Sequence, residues 1–303
     1  MKKCFRGWVR LRRYNKVAIL GSVTRDIIAE GTRIGGSAYY CGLALLMIDV
    51  NPLIITNSVM LKDFLGGYSE LIGSEDGKPA EFRIEQGDDG RVLKLMSRPT
   101  PIPLDDEILR IISTDYDAVV VTPVFQDLSL EDLARMIPHL RGWAVIDIQG
   151  YVREALLDGI VRNSENRFWR VFEVIRNHIN VILRGEVNEF PSVCRGMGIE
   201  NCLKDFNGYI IQTSGDGPIY FGRGGSVYRL DIFWGIHGDD TGAGDVFTSL
   251  LGAFWSPDNY IFAVSAAAAG AMLKTVRHNK IWFTEHEIRV HGHELAQLVR
   301  KVM

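Results

Sequence analysis

The chain has 303 residues, of which 47% are hydrophobic and 23% charged, a balance typical of a folded globular protein. This composition excludes a disordered chain, which would bury too little apolar surface to offset the entropy lost on folding. Residues 1–16 carry seven basic side chains and no acidic one, whereas the rest of the chain has 27 basic and 37 acidic side chains. A body this acidic has no general attraction to nucleic acid, so we expect no nucleic-acid partner.

Segments free of charge are too short to cross a membrane. The longest, residues 34–48 and 259–273, have 15 residues each, against the roughly 20 apolar residues that a spanning helix needs. No apolar segment follows the basic start, as a secretory signal would require. The cysteines lack CxxC spacing, and Cys194 and Cys202 are eight residues apart, which suits neither a zinc ribbon nor a redox motif. We therefore expect reduced thiols, a cytoplasmic protein and no membrane partner.

Short apolar runs alternate with helical patterns along most of the chain. The predicted strands and helices, in chain order, are a strand at 17–20, a helix at 38–48, a strand at 53–56, a hairpin at 82–96, strands at 118–122, 143–148, 181–183 and 209–212 with helices at 129–140 and 168–176 between them, a hairpin over 219–230, and helices at 245–255, 261–273 and 285–302. Such alternation predicts a mostly parallel sheet covered by helices on both faces.

The segment most informative about chemistry is residues 238–245, Gly-Asp-Asp-Thr-Gly-Ala-Gly-Asp, which precedes a predicted helix. Small residues at Gly242, Ala243 and Gly244 let a backbone approach its ligand closely, and a helix N-terminus favours an anion. Asp245 would face that anion. Phosphoryl transfer requires such fixed N–H donors and one carboxylate that accepts a hydroxyl proton. From spacing alone, an ordinary helix start with a favourable acid explains the pattern equally well.

Three segments, in the same order along the chain, resemble the ribokinase-like (PfkB) carbohydrate kinase family. Residues 240–245 (DTGAGD) resemble its C-terminal signature, and Gly35-Gly36 followed by Ser-Ala resembles the start of its N-terminal signature. The first strand runs into Gly-Ser-Val-Thr-Arg-Asp, which places Asp26 where the family has a substrate-binding aspartate. The resemblance covers residues 17–290. It implies an α/β fold, a three-layer α/β/α sandwich with a mostly parallel central sheet and a small β lid.

The resemblance implies a kinase that transfers the γ-phosphoryl group of ATP, with Mg²⁺, to a hydroxyl of a sugar or related polyol. Asp245 would be the general base, and Gly242, Ala243 and Gly244 would form the anion hole. The implied contacts to the acceptor are Asp26, Gly35, Gly36, Tyr40 and Arg153. Without the resemblance, a solvated loop acid at Asp26 and a tight turn at the glycine pair would be the simpler interpretations.

Other segments resemble the family's motifs less closely. Residues 147–153 resemble an Asp-x-Asn-x-x-Arg segment, which suggests that Arg153 meets a phosphate or the acceptor; an arginine paired with a surface acid is an equal alternative. Residues 186–189 lie where the family has Asn-x-x-Glu around magnesium, so Glu189 matches and Glu186 replaces the asparagine. Two solvated acids would give the same pattern. The implied nucleotide contacts are Thr213, Gly215, Thr241 and Asn279, with adenine between residues 261–273 and 279–283.

The resemblance divides the chain into a basic tail, residues 1–16, and a kinase domain, residues 17–303, with a lid from about 27–36 and 82–96. Only eight residues separate Asp26 from Gly35, where many members have extra lid strands, so we expect a small lid and leave a homodimer through it open.

Two alternatives to a sugar kinase stay open. Tyr40 stands where the family often has Asn, and with Tyr39 it could stack on a base, which suits a nucleoside acceptor. A nucleoside kinase on the same fold is therefore one alternative. The other is a non-catalytic nucleotide-binding regulator, against which the retained Asp245 and glycine run argue.

Overall fold

A computed structural model describes residues 13–65, 67, 69–87, 90–215, 217–232, 238–277 and 282–303. The strands, in chain order, are β1 (Val17–Gly21), β2 (Thr24–Ile28), β3 (Gly31–Gly35), β4 (Leu53–Thr56), β5 (Glu70–Gly73), β6 (Ala80–Gly87), β7 (Gly90–Ser97), β8 (Ala118–Thr122), β9 (Trp143–Asp147), β10 (Arg153–Ala155), β11 (Val161–Asn163), β12 (Val181–Glu186), β13 (Tyr209–Thr213), β14 (Ile219–Arg223), β15 (Ser226–Leu230) and β16 (Arg300–Lys301). The α-helices are α1 (Ser37–Leu46), α2 (Lys62–Leu65), α3 (Asp106–Asp115), α4 (Leu130–Met136), α5 (Gln149–Val152), α6 (Glu165–Ile175), α7 (Ile199–Leu203), α8 (Ala243–Phe254), α9 (Tyr260–Val276) and α10 (Glu285–Ala296).

Ten of the described strands form the central sheet, in the order β16-β15-β14-β13-β12-β9-β8-β1-β4-β5. Every neighbouring pair from β13 to β5 is parallel, and the pairs from β13 to β16 are antiparallel. Strands β1 and β8 are buried at every position and have Thr122 as their single polar residue, as expected where helices cover both faces of a sheet. The predicted mostly parallel sheet is confirmed.

Side chains that alternate along β1 mark the two helical layers. Val17 and Ile19 pack into a core that includes α1, α8, α9 and α10. Ala18 and Leu20 point to the opposite face, where they join α3, α4, α6 and α7. Because successive strand residues face opposite sides of a sheet, this partition establishes three layers, and the predicted α/β/α sandwich is confirmed.

A second, smaller sheet has the order β3-β2-β6-β7 within the described part of the chain. Strands β2 and β3 form one hairpin, β6 and β7 form another, and β2 joins them by pairing with β6 in parallel. The predicted hairpin over 82–96 is therefore confirmed. Phe82 packs under this sheet against Phe125, with ring centroids 6.3 Å apart. The lid role of this small sheet, dimerisation through it and the division of the chain into domains remain predictions.

The predicted closing helix over 285–302 is wrong in its last part. Helix α10 ends at Ala296, and β16 follows as an edge strand beside β15. The backbone N–H of Val302 donates to the carbonyl of Val227, and the N–H of Val227 donates to the carbonyl of Met303. Unpaired backbone groups at the β15 edge thus compete with the helix for the last residues.

The prediction of reduced thiols is wrong for Cys194 and Cys202, which form a disulfide with their Cα atoms 5.8 Å apart. Two 3₁₀ turns and helix α7 fold the intervening segment back on itself, so both sulfurs enter the same apolar core. Cys41 is a buried free thiol, and Cys4 lies outside the described residues. No helix in the described ranges is long and apolar enough to span a bilayer; a cytoplasmic location stays a prediction.

Candidate active site

Two neighbouring cavities open among the described residues, at the carboxyl ends of the parallel strands. The first, of about 400 Å³, lies between the small sheet and the start of α8, and the second, of about 360 Å³, lies against α9. Both cavities are lined by Arg184, Glu186, Asp240 and Gly244. Ligands in open α/β sheets bind at this edge, and two ligands here would meet at a shared wall.

Residues 238–245, which we call the glycine-rich segment, form part of the wall that the two cavities share. Gly242 is the N-cap of α8 and has φ 79°, in the left-handed region. The N–H of Ala243 donates to the Asp240 carbonyl over 2.9 Å, so that amide is engaged in the turn that shapes the segment. Amides in the first turn of a helix otherwise lack intrahelical partners. The wall therefore presents a helix N-terminus, with Gly242 and Gly244 at the surface of the first cavity.

The ring of Tyr40 packs against Gly242 of the glycine-rich segment. A Cβ atom on Gly242 would lie 2.6 Å from Cδ2 of the Tyr40 ring, so only glycine fits this contact. The ring of Tyr40 also stacks on Trp282, with centroids 6.2 Å apart. Burial raises the pKa of the Tyr40 hydroxyl well above its usual value. Tyr40 thus lines the first cavity as a neutral and firmly packed side chain.

Asp245 lies in the first turn of α8 and lines the first cavity. Burial, and then the neighbouring charge of Asp147, raise the pKa of Asp245 to about 7, although Arg184 and Arg153 act in the opposite direction. A general base works best when its pKa lies near the working pH. The surroundings of Asp245 thus suit proton transfer at neutral pH.

Asp26 and the glycine pair lie across the first cavity from α8. The hydroxyl of Thr24 donates to Asp26 over 2.9 Å, and Nε of Arg33 lies 3.9 Å from its carboxylate. A Cβ on Gly35 would lie 2.7 Å from the Asp26 carboxylate. Gly35 therefore makes room for Asp26 and does not line the cavity, whereas Gly36, the N-cap of α1 with φ 95°, does line it.

Arg184 is a site residue that the sequence patterns did not reveal. Its guanidinium is buried and pairs with the buried carboxylate of Asp147 over 2.5 Å, because the parallel register of β9 and β12 places the two residues side by side. A second nitrogen donates to the Thr213 hydroxyl over 2.9 Å. A Cβ on Gly244 would lie 2.9 Å from the guanidinium, so this positive charge lies directly beside the helix N-terminus.

Arg153 lines the first cavity from the start of β10. Its guanidinium donates to the Val124 carbonyl over 3.2 Å, and burial lowers its pKa. Within the described ranges, no carboxylate lies within 4.0 Å of it. The alternative of an arginine paired with a surface acid therefore does not describe Arg153, which brings a guanidinium to the cavity wall.

Glu186 ends β12, Glu189 lies in the turn that follows it, and both line the first cavity. They cap a 3₁₀ turn reciprocally, and the N–H of Glu186 donates to Glu189 over 2.7 Å. Burial and the charges of Asp147 and Glu186 raise the pKa of Glu189. Among the described residues, no three acidic, histidine or cysteine side chains cluster as a metal site. Mg²⁺ commonly uses one or two carboxylates together with phosphates and water, so this pair fits Mg²⁺ beside a phosphate ligand.

The predicted nucleotide contacts are divided between the two cavities. Thr213 and Gly215 line the second cavity, together with helix α9. Thr241 lines the first, where its hydroxyl accepts a hydrogen bond from Arg33 over 2.9 Å. Asn279 lies outside the described residues. The second cavity is lined by residues of α9 within 261–273. The position of adenine there stays a prediction.

No protein-family model and no curated protein sequence matches the chain. Solved structures do match its fold. A variant of a pyrophosphate-dependent myo-inositol kinase aligns over 93% of this chain and 99% of its own, with a TM-score of 0.68 at 14% identity. A ribokinase from Arabidopsis thaliana, complexed with ribose and ATP, aligns over 93% and 98%, with a TM-score of 0.67 at 13% identity. The ribokinase from Thermotoga maritima aligns over 91% and 98%, with a TM-score of 0.67 at 16% identity.

The chain has the ribokinase-like fold. The motif resemblance predicted this fold, and the structural matches confirm it. In this chain the ribokinase-like fold brings Asp245, Gly244 and Arg184 to the wall between two cavities. A carboxylate with a pKa near neutrality, a helix N-terminus and a buried guanidinium are together able to move a proton and stabilise a phosphate.

Proposed function

We propose that the chain is a kinase that transfers the γ-phosphoryl group of ATP, with Mg²⁺, to a hydroxyl of a sugar or related polyol. The observation that carries this proposal is the wall common to both cavities, where Gly244 and Arg184 lie beside Asp245. A transfer reaction requires two ligands that meet at one point, with charge stabilisation at that point. The three sequence motifs and the ribokinase-like fold support the same proposal.

The acceptor occupies the first cavity in this proposal, and Asp26 accepts hydrogen bonds from its hydroxyls. Asp245 takes the proton of the reacting hydroxyl while that oxygen bonds to the γ-phosphorus and the bond to the β-phosphate oxygen breaks. The amides of the glycine-rich segment other than that of Ala243, together with the Arg184 guanidinium, stabilise the negative charge on the transferring group. Mg²⁺, held by Glu189 and Glu186, would neutralise phosphate charge when bound.

The donor occupies the second cavity, with Thr213 and Gly215 on one side and α9 on the other. The body of the chain is acidic, so its overall field does not attract an anionic nucleotide. Attraction of the nucleotide is therefore local. Arg184 and the helix N-terminus provide it, and Mg²⁺ would add to it when bound. Arg153 adds a further positive charge on the acceptor side.

A substrate panel tests the proposal directly. Sugars, inositols, sugar acids and nucleosides are offered with ATP, ADP or pyrophosphate as donor, and transfer is followed as donor consumption and as phosphorylated product. We expect ATP-dependent phosphorylation of a polyhydroxylated acceptor. Turnover with nucleosides alone would replace the proposal by a nucleoside kinase. Nucleotide binding without transfer to any acceptor would favour a non-catalytic regulator.

The dependence of kcat/KM on pH gives a further prediction. Asp245 must be deprotonated to act as a base, so with a pKa of about 7 activity falls as the pH drops through that value. Arg153 lowers the pKa of Asp245. The Arg153→Met variant is therefore expected to move the acid limb to higher pH, by about 1 pH unit.

The control for that shift is Arg162→Met, which removes an exposed guanidinium paired with Glu154 on the surface. Its acid limb is expected to coincide with that of the wild type. An Arg153→Met limb that stays in place, or moves to lower pH, would show that Asp245 is not the titrating base or that Arg153 does not act on it.

A further inference from the structure

Lys274 is a buried lysine near the C-terminal end of α9, with its side chain 5% exposed. Its ammonium donates to the carbonyl of Asp239 over 2.7 Å and also to the carbonyl of Thr241. The carboxylate of Asp239 lies 3.9 Å away. Two carbonyl oxygens and one carboxylate oxygen thus converge on one positive charge, immediately before Gly242.

The direction of these carbonyls determines the direction of the following amides. In a trans peptide unit, the C=O of one residue and the N–H of the next point in opposite directions. Because the Thr241 carbonyl points to Lys274, the N–H of Gly242 points away from Lys274. Gly242 and Thr241 line the first cavity. The ammonium therefore controls how the glycine-rich segment presents its amides.

Burial of an ammonium is costly unless oxygen atoms compensate for the lost water. Burial lowers the pKa of Lys274, while Asp239, Asp240 and Asp245 act to raise it and Arg33 acts to lower it. The ring of Tyr40 lies 5.6 Å from the ammonium and packs under Gly242. The described groups that contact this ammonium, namely Asp239, Thr241 and Tyr40, thus also contact or belong to the glycine-rich segment.

We propose that Lys274 is a positioning residue whose ammonium acts as a built-in monovalent cation and aims the Gly242 amide at the transferring phosphate. This inference rests on the proposed function for its effect on turnover. Its structural part, a cation that organises an anion-binding segment, does not depend on which acceptor the enzyme uses. Removal of the ammonium should leave three converging oxygens, which are suitable ligands for a small monovalent cation.

The Lys274→Met variant tests the inference by chemical rescue. Its kcat is expected to fall about a hundredfold, as for a catalytic group displaced by about 1 Å, with little change in the KM of the acceptor. Added K⁺, NH₄⁺ or methylammonium should restore part of the activity of this variant and leave the wild type unchanged. Lys204→Met, which removes an exposed lysine, should show neither the loss nor the rescue.

A binding measurement separates this inference from the proposed function. Thermal stabilisation by inorganic pyrophosphate is measured for the wild type and for Lys274→Met, with and without the added cations. If no acceptor is ever phosphorylated, the proposed function fails, yet cation-dependent recovery of pyrophosphate binding would still support the role of Lys274. If Lys274→Met does not fold, Lys274→Gln, which keeps N–H donors without the charge, takes its place. Wild-type kcat, or a loss that no cation relieves, would overturn the inference.

Discussion

The Asp245→Asn variant is expected to lose phosphoryl transfer by about a thousandfold, within the range that general-base catalysis contributes. Asparagine has the same shape but cannot accept the hydroxyl proton at neutral pH. Folding and donor binding are expected to persist, because Asp245 does not line the second cavity, which is the proposed donor site. Steady-state turnover and calorimetric ATP binding measure the two effects separately.

The pH profile distinguishes loss of the base from general damage. The acid limb near pH 7 should vanish from any residual activity of Asp245→Asn, since the titrating group is gone. Asp258→Asn, which changes an exposed aspartate just after α8, is the matched control and should behave as the wild type. Undiminished turnover of Asp245→Asn would refute the assignment of the base.

The Gly242→Ala variant is expected to lower both stability and turnover, the latter by about a hundredfold. Its left-handed backbone disfavours any residue with a Cβ, at a cost of about 1–2 kcal/mol. The new methyl group would also collide with the Tyr40 ring and displace the segment that we propose binds the phosphate. Thermal unfolding and kcat are measured together.

Gly225→Ala separates the two causes. Gly225 has φ 84°, but no heavy atom lies within 4 Å of its added Cβ. It therefore imposes a similar backbone cost without a collision, and turnover should be retained. The double variant Tyr40→Ala, Gly242→Ala should lose less free energy of unfolding than the sum of the losses in the two single variants, because the collision is then absent. Equal loss of turnover in Gly225→Ala and Gly242→Ala would show that the collision with Tyr40 has no role.

The sequence predicted the parts of the site that short motifs encode. The fold followed from three motifs in order and from the alternation of strands and helices. Asp245, Gly242 and Gly244 are close together in sequence. Asp26 lies within β2 and Gly36 is the N-cap of α1, and both line the same cavity. Such residues can be found because local backbone geometry alone places them.

The residues that the sequence did not reveal depend on distant partners. Arg184 resembles any charged residue in a strand until its register beside Asp147, 37 residues earlier, is known. Lys274 resembles a favourable last-turn base of α9, and its bond to the Asp239 carbonyl spans 35 residues. For Arg184, the sequence offered two signals: an arginine within an apolar strand, and Asp147 at the end of another strand.

The helix end and the disulfide were mispredicted for a related reason. Helix propensity describes residues 297–302 in isolation, whereas their structure is decided by hydrogen bonds to the edge of β15. Spacing rules for cysteines describe metal and redox motifs, whereas Cys194 and Cys202 meet because the chain folds back between them. Tertiary contacts overrode local patterns in both cases.

The common wall of the two cavities has a consequence for inhibitor design. Under the proposed function, a bisubstrate compound that joins a polyol to a nucleotide by a phosphate bridge would pass Gly244 and Arg184, which line both cavities. Once one half is bound, the other half would bind at a high effective concentration instead of from bulk solution. Its affinity would therefore far exceed that of either half. The bridge length that gives the highest affinity would measure the distance between the two bound halves.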